Sequence, residues 1–418
     1  MADDKKKILV VGGGIAGMTA AVEAAEVGHN VVLVERNQYL GGRVAQMHQY
    51  FPKLCPPSCG LEINYKRIKS HPNITVMTQA EVVSVDGQEG DFTVAVKVEP
   101  RYVNERCTCC GACAEACTLE VEDPFNYNML KKKAASLPHP RAFPMRYALH
   151  PDLVASAEAE AVKKACEYDA IVLDDEPRNE TLAVGAIIWA TGWNPFDPTA
   201  VDYYGFGSNK NVITNVMMER LAAQDGPTGG AILRPSDGQP PNHVLFVQCA
   251  GSRDENHLAY CSGICCLASL KQATYVRNQY PDSRVTICFI DIRTPDRLED
   301  FYEKVKRDEG VQFVKSKVAD LREDPATGTV TVNGEDTLGG GRFQTTADLV
   351  VLAAGIVPQR PAFALEADDY GFLTTTQAAG HHPAGTVTRP VEVSSTVQDA
   401  TAAALKAIQS LAVRSIDG

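Results

Sequence analysis

The chain has 418 residues, 44% hydrophobic and 22% charged, a composition that fits a folded globular protein and excludes a disordered or fibrous one. A formal charge of −12 opposes the basic face that a nucleic-acid binder needs. No apolar run in the sequence approaches the roughly 18 residues of a membrane span.

Length predicts two to three domains. The first residues run straight into Ile8-Leu9-Val10-Val11 without the apolar h-region and small-residue cleavage site of a signal peptide, so a cytoplasmic location is expected. In that reducing compartment 13 cysteines point to metal or redox chemistry rather than to a disulfide framework.

Ile8 to Val11 reads as a strand buried on both faces of a parallel sheet. Gly12 to Gly17 is a turn, Ile15 to Val27 an alanine-rich helix stopped by Gly28, and Val31 to Val34 a second strand. Residues 74–98 alternate in the β-branched manner and read as a small sheet with a turn at Asp86-Gly87. From residue 99 to 178 the texture is cysteine-rich, then rich in lysine, proline and alanine, and reads as an insertion. Strand texture returns at Val184 to Ala190, within a segment 179–240 that ends in a Gly/Pro-rich link. A second strand, turn, helix and strand unit occupies 241–342: Val244 to Val247, a cysteine segment, a helix from about Leu267 to Asn278, and Val285 to Ile290. The last part, 343–418, holds a strand at Asp348 to Ala354 and a terminal helix from Val397 to Ala412. This alternation predicts an α/β chain with two doubly wound, dinucleotide-binding domains and an inserted segment.

Gly12, Gly14 and Gly17 complete a G-x-G-x-x-G fingerprint between the first strand and helix, with Ala16 inside it. Its glycines suit a tight turn, close approach of a pyrophosphate and close helix–strand packing. Glu35, 18 residues after Gly17, ends the second strand where an acid can take ribose hydroxyls, and Arg36 follows it. With Gly42-Arg43, Ala190-Thr191-Gly192 and Gly385, the pattern resembles flavoproteins of the thioredoxin reductase type. That resemblance, not the spacing, implies that the first site holds FAD, so that 1–98, 179–240 and 343–418 together form the FAD-binding domain.

Cys107-x2-Cys110-x2-Cys113-x3-Cys117 has the spacing of a bacterial ferredoxin run for a [4Fe–4S] cluster. In two-cluster ferredoxins the fourth cysteine serves the other cluster. Lys164-Ala165-Cys166-Glu167 looks like the remnant of a second run, so the set is completed either by Cys166, which the ferredoxin arrangement favours, or locally by Cys117. Cys109 is off the pattern. A second group, Cys249, Cys261, Cys265 and Cys266, stands where the second unit would carry a glycine fingerprint for NAD(P)H. A cluster in place of the nicotinamide is the economical reading; packing of small buried residues is the alternative. Cys55 and Cys59, as C-x3-C with two prolines between, suit an active dithiol, a cluster or partner contact, or a structural role. Cys288 reads as core. The histidines show no metal spacing, His381-His382 reads as loop, and Lys131-Lys132-Lys133 reads as a solvated face. No set of catalytic side chains stands out.

Asn211-Val212-Ile213-Thr214, Arg234-Pro235-Ser236-Asp237-Gly238, Gln248-Cys249-Ala250-Gly251-Ser252-Arg253-Asp254 and Ile290-Asp291-Ile292-Arg293 carry a further resemblance, with the fingerprint and both cysteine groups. Together they resemble the A-type subunits of heterodisulfide reductases over nearly the whole chain. The resemblance implies FAD in a thioredoxin-reductase-like core and a [4Fe–4S] cluster on Cys249, Cys261, Cys265 and Cys266, hence two clusters in all. Large family members carry further cluster domains beyond the stretch covered here. The short form is most similar to the A-type subunit of the quinone-interacting membrane-bound oxidoreductase complex of sulfate reducers. That implies an electron-transfer subunit peripheral to the inner membrane, working with a second flavoprotein, a membrane haem subunit and adenylylsulfate reductase. The competing readings are an autonomous NAD(P)H-dependent flavin disulfide reductase and a cofactor-poor scaffold.

Overall fold

A computed structural model describes residues 7–412; the chain's first residues, on which the absence of a leader was read, lie mostly outside that range. Two open sheets organise it. The first has five parallel strands in the order His381–Pro383, Ala186–Trp189, Ile8–Val11, Val31–Glu35 and Ile74–Thr78. The Ile15–Glu26 helix and the terminal Val393–Ala412 helix pack together on one face, because their alanines let the helices approach closely over Ile8, Val10 and Leu33. The other face is covered by an antiparallel sheet of Arg178–Val184, Asp91–Val98 and Ala80–Gln88.

The second sheet has seven strands in the order Val212–Thr214, Leu349–Ala354, His243–Ala250, Arg284–Phe289, Val311–Glu323, Val330–Asp336 and Arg342–Ala347. The Asn215–Ala222 and Cys265–Gln279 helices cover one face through Leu221, Leu270, Ala273 and Val276. Between the sheets in sequence, the cysteine-rich segment forms short antiparallel pairs and small helices around Cys117, Leu149, Leu153 and Val162.

Four expectations need correction. Leu349–Ala354 and Val212–Thr214 belong to the second sheet, so the second unit takes in residues on both sides of 241–342. Leu349–Ala354 is buried on both faces, and such a run has the same texture in either sheet. Ile74–Thr78 is the edge strand of the parallel sheet rather than part of the small one. Asp86 and Gly87 lie inside a strand opposite Thr93 and Phe92, and the hairpin turns beyond Gln88, at Glu89-Gly90. His381-His382 is strand: Trp189 Nε1 donates to His381 Nδ1 at 3.0 Å.

Candidate functional site

At the carboxyl ends of the first sheet lies a cavity of about 1010 Å³, the place where open α/β sheets bind ligands. The connection from Val11 to Ile15 is only Gly12–Gly14. Gly12 has φ of +107°, and a side chain there would land on the Ala190 carbonyl oxygen. A side chain at Gly17 would strike the Gly12 carbonyl, so this glycine brings helix and turn together and does not itself line the cavity. The Ile15–Glu26 helix has no side-chain cap and no acid in its first turn. Its free N–H groups and dipole therefore face the cavity, where they suit a phosphate.

Glu35 is 5% exposed. Oε2 accepts from Gly13 N at 2.6 Å, and Oε1 accepts from Asn37 N and Nδ2, both at 2.7 Å. Burial pushes its carboxyl above the usual range, while these donors and Arg36 oppose the shift. A carboxylate has about four acceptor sites, and three are taken here, so room remains for one hydroxyl donor from the cavity. Gly12, Gly14, Ala16, Glu35, Arg36, Gly42, Arg43, Ala190, Thr191 and Gly192 all line the cavity. Gly385 does not: it sits beneath, its N–H donating to Asp399 at 2.8 Å, between the lining residues Ala384 and Thr386. Volume, glycine turn, uncapped helix and buried acid fit a dinucleotide.

Other walls were not legible in the sequence. Lys132 lines the cavity, at 3.6 Å from Asp123, between the outward Lys131 and Lys133. The alternation of a strand turns one lysine of three inward. His150, Gln46, Arg360 and Lys271 also line it, and no local pattern marks them.

Lys271 leads to the second unit. It pairs with Glu219 at 3.0 Å and donates to Gln49 O, with both side chains nearly buried. Next to it Arg220 is fully buried. Its guanidinium donates to Asn126 Oδ1 at 2.8 Å, to Gln46 O at 3.4 Å and to Asp225 Oδ1 at 2.9 Å, and lies over the Phe125 ring. The cavity loop, the inserted segment and the second unit are thus joined through one cation.

The corresponding connection in the second unit is different. It runs for 14 residues, Gly251 to Ile264, between the His243–Ala250 strand and the Cys265–Gln279 helix. A side chain at Gly251 would strike the Phe196 ring, so no open cradle faces a pyrophosphate. Asp291 is spent on Arg253 and Arg293. What converges here is sulfur. Burial, then the Cys266 charge, push the Cys249 thiol up to about 11, with Cys261 adding to the rise and Arg253 opposing it. Cys265 is raised by burial, then by Cys249, Cys266 and Cys261. Cys265 and Cys266 open a 15-residue helix whose N-terminal dipole favours anionic ligands.

In the inserted segment burial pushes the Cys113 thiol up to about 12, followed by the charges of Cys107, Cys110 and Cys166. Cys117 is absent from that set. It is buried in the segment's core, where Cys107, Cys113 and Cys166 pack beside it, and its Sγ donates to the Leu119 carbonyl at 3.5 Å, as the Cys265 and Cys266 thiols do to Ala354 O and Asp291 O at 3.7 Å. Cys166 Sγ accepts from Ala170 N at 3.4 Å. Cys109 Sγ donates to Met145 O at 3.1 Å. Among the described residues no group of three or more His, Cys, Asp or Glu side chains is placed to hold a metal ion as it stands. A lone tetrahedral ion needs sulfurs about 2.3 Å from one point; a four-iron cube is larger, and the charges of Cys107, Cys110 and Cys166 reach Cys113 as those of Cys249, Cys261 and Cys266 reach Cys265.

Cys55 and Cys59 are both free and flank the start of the Pro57–Ser70 helix, close to Tyr50 of the cavity wall. Cys288 is 1% exposed in a core strand. No helix among the described residues is long and apolar enough to cross a membrane.

Comparison with known proteins agrees with this geometry. Residues 7–55 match the FAD dependent oxidoreductase family. The chain is 38% identical to the second of two A-type iron-sulfur subunits of CoB--CoM heterodisulfide reductase in Methanopyrus kandleri, over 98% of this chain and 65% of the relative. It is 39% identical to the corresponding A-type iron-sulfur subunit of Methanocaldococcus jannaschii, over 96% of this chain and 63% of the relative. The chain thus spans slightly less than two thirds of these relatives. Among solved structures, thioredoxin reductase from Lactococcus lactis aligns with a TM-score of 0.56 at 13% identity, covering 98% of this chain and 99% of that one. Thioredoxin reductase from T. acidophilum aligns at 0.54 and 15%, with the same coverage. At such identity they show the fold: the thioredoxin-reductase-like arrangement of two dinucleotide-binding domains.

Proposed function

Starting from a chain that is a homologue of the heterodisulfide reductase A-type subunits and an oxidoreductase by class, we propose that it is an FAD and iron–sulfur electron-transfer subunit. In this reading FAD occupies the cavity of the first sheet. One [4Fe–4S] cluster is held by Cys107, Cys110, Cys113 and Cys166, and a second by Cys249, Cys261, Cys265 and Cys266. The observation that carries the reading is a shared helix. Cys265 and Cys266 begin the Cys265–Gln279 helix, and Ile264, Leu267, Ala268 and Lys271 at the same end wall the cavity. A cluster on those thiols and a flavin in that cavity would share one wall.

When bound, FAD would store two electrons and release them one at a time to clusters that each carry one. The chain's own residues do the rest. The first helix end and Gly12–Gly14 receive the pyrophosphate, and Glu35 receives a ribose hydroxyl at its remaining acceptor site. Arg220 and the Glu219–Lys271 pair fix the cysteine-bearing unit against the cavity loop, which holds the two redox sites at one separation.

The wider assignment follows the resemblance to the A-type subunit of the quinone-interacting membrane-bound oxidoreductase complex. The protein relays electrons between a membrane quinone and haem partner and adenylylsulfate reductase, alongside a second flavoprotein, in the cytoplasm and peripheral to the inner membrane through those partners. An autonomous NAD(P)H-dependent reductase is disfavoured by the long, Phe196-covered connection at Gly251. Stopped-flow mixing tests it: NADH and NADPH are expected to leave the oxidised flavin unbleached, and rapid bleaching by the isolated chain would overturn the reading. For the partners, the chemically reduced chain is expected to be reoxidised by adenylylsulfate reductase only when adenylylsulfate is present. No reoxidation above the rate without that enzyme contradicts the assignment.

A further inference from the structure

In the second cysteine set Gly263 N donates to Cys261 Sγ at 3.3 Å, the Arg253 cation lies beside Cys249, and the Cys265 and Cys266 thiols donate to Ala354 O and Asp291 O, both at 3.7 Å. The residue just before Cys249 has no such arrangement. Gln248 is 5% exposed, and neither its Nε2 nor its Oε1 has a hydrogen-bond partner. A buried polar atom left unpaired costs about 1–3 kcal/mol, and here both ends of one carboxamide are orphaned. An amide held in that state calls for a partner that the polypeptide does not supply.

Its place on the strand says which. Val244 and Phe246 pack with Leu270, Ala273 and Val276 of the Cys265–Gln279 helix, whereas Leu245 and Val247 pack on the opposite face with Tyr204 and Leu352. The strand's pairing shifts register between Val247 and Ala250, so Gln248 and Cys249 fall in its irregular end; Ala250 pairs with Ala354, whose carbonyl accepts from the Cys265 thiol at 3.7 Å, which sets that end against the start of the helix. There the first two helical residues are Cys265 and Cys266, and Cys249 is Gln248's own neighbour in sequence. Ser252, also 5% exposed with an unpartnered hydroxyl, lies in the same connection beside Ser262.

We propose that Gln248 is a positioning residue of the second iron–sulfur site, its carboxamide N–H donating to a sulfur of the cluster and raising the cluster's reduction potential. The inference rests on the reading of Cys249, Cys261, Cys265 and Cys266 as cluster ligands. Reduction adds negative charge that the sulfurs share, so each N–H aimed at them stabilises the reduced form more than the oxidised one. The Gly263 N–H at Cys261 and the Arg253 cation beside Cys249 act in the same direction.

The test uses the whole chain, purified without oxygen with its flavin and iron, and follows each cluster by electron paramagnetic resonance during a redox titration. Gln248→Leu removes the donor at nearly constant volume. It is expected to shift the second cluster to lower potential while leaving the first cluster and the flavin where they were. Gln248→Glu keeps the size, replaces the donor with an acceptor and is expected to shift it further down; it also supplies the measurement if the leucine variant assembles poorly. An exchangeable proton coupled to the second cluster, seen by electron–nuclear double resonance after exchange into deuterium oxide, is expected to vanish in both. An unmoved potential with full iron content overturns the proposal and leaves an ordered water as the partner of the amide. A lack of iron at the second site in the unsubstituted chain overturns the cluster reading itself, and this inference with it.

Discussion

Arg220→Met removes one side chain that three parts of the molecule share. The guanidinium is fully buried and serves Asn126 Oδ1, Gln46 O, and the backbone and side-chain oxygens of Asp225. Methionine keeps the volume but leaves those acceptors without their donor. Removing one partner of a buried ion pair costs about 3–5 kcal/mol. Asp225 is 22% exposed and can recover some hydration, so the lower end applies, about 3 kcal/mol. For a cooperative unit of about 150–250 residues, at about 2–4 °C per kcal/mol, that is a fall in Tm of about 6–12 °C. Gln46 lines the cavity and also donates to Phe125 O at 2.9 Å, so flavin is expected to be released earlier on heating than in the unsubstituted chain. The assay is thermal unfolding followed by flavin fluorescence and near-UV circular dichroism, with Arg178→Met as control. Arg178 pairs with Glu180 at the exposed surface and is expected to change Tm by about 1 °C or less. An Arg220→Met chain that melts within about 1 °C of the original and keeps its flavin would refute the clamp.

Gly12→Ala places a methyl group on the Ala190 carbonyl at a left-handed backbone position, and is expected to yield chain with little or no bound flavin by absorbance, with iron largely retained. Cys166→Ser is expected to lose one cluster, about four irons per chain, whereas Cys117→Ser keeps full iron; the opposite pattern restores the local arrangement. Burial depresses His139 to about 4 from its ordinary 6.5. Between those values the unfolded chain takes up a proton that the folded chain refuses, so stability falls as pH drops from 6.5 to 4, by about 3 kcal/mol in all. His139→Phe, which retains the stack on Phe125, is expected to flatten that slope in urea titrations across the window; an unchanged slope contradicts the assignment.

What the sequence disclosed was local chemistry. Gly12, Gly14, Gly17 and Glu35 lie within one strand–helix–strand unit, where spacing and physics coincide, and the two cysteine groups announce themselves by composition. Sheet membership was not disclosed. Leu349–Ala354 has the uniform apolar texture of any central strand, so nothing in it says which sheet it completes. Lys132, His150 and Lys271 were hidden for a related reason. Each lies on an element whose local pattern reads as ordinary surface or helix, and only the approach of distant segments turns it to the cavity. Arg220 is the extreme case, since its partners Asn126 and Gln46 lie 94 and 174 residues away. The choice between Cys117 and Cys166 was open at the level of spacing. Spacing could not decide it, because Cys117 and Cys166 reach one small core that also takes in Cys107 and Cys113.

The central claim is that one chain carries a flavin and two four-iron clusters. Flavin, iron and acid-labile sulfide, measured per chain on protein purified without oxygen, test it most directly. The account predicts one flavin with about eight irons and about eight sulfides. About four irons, or a colourless iron-free chain, would contradict it.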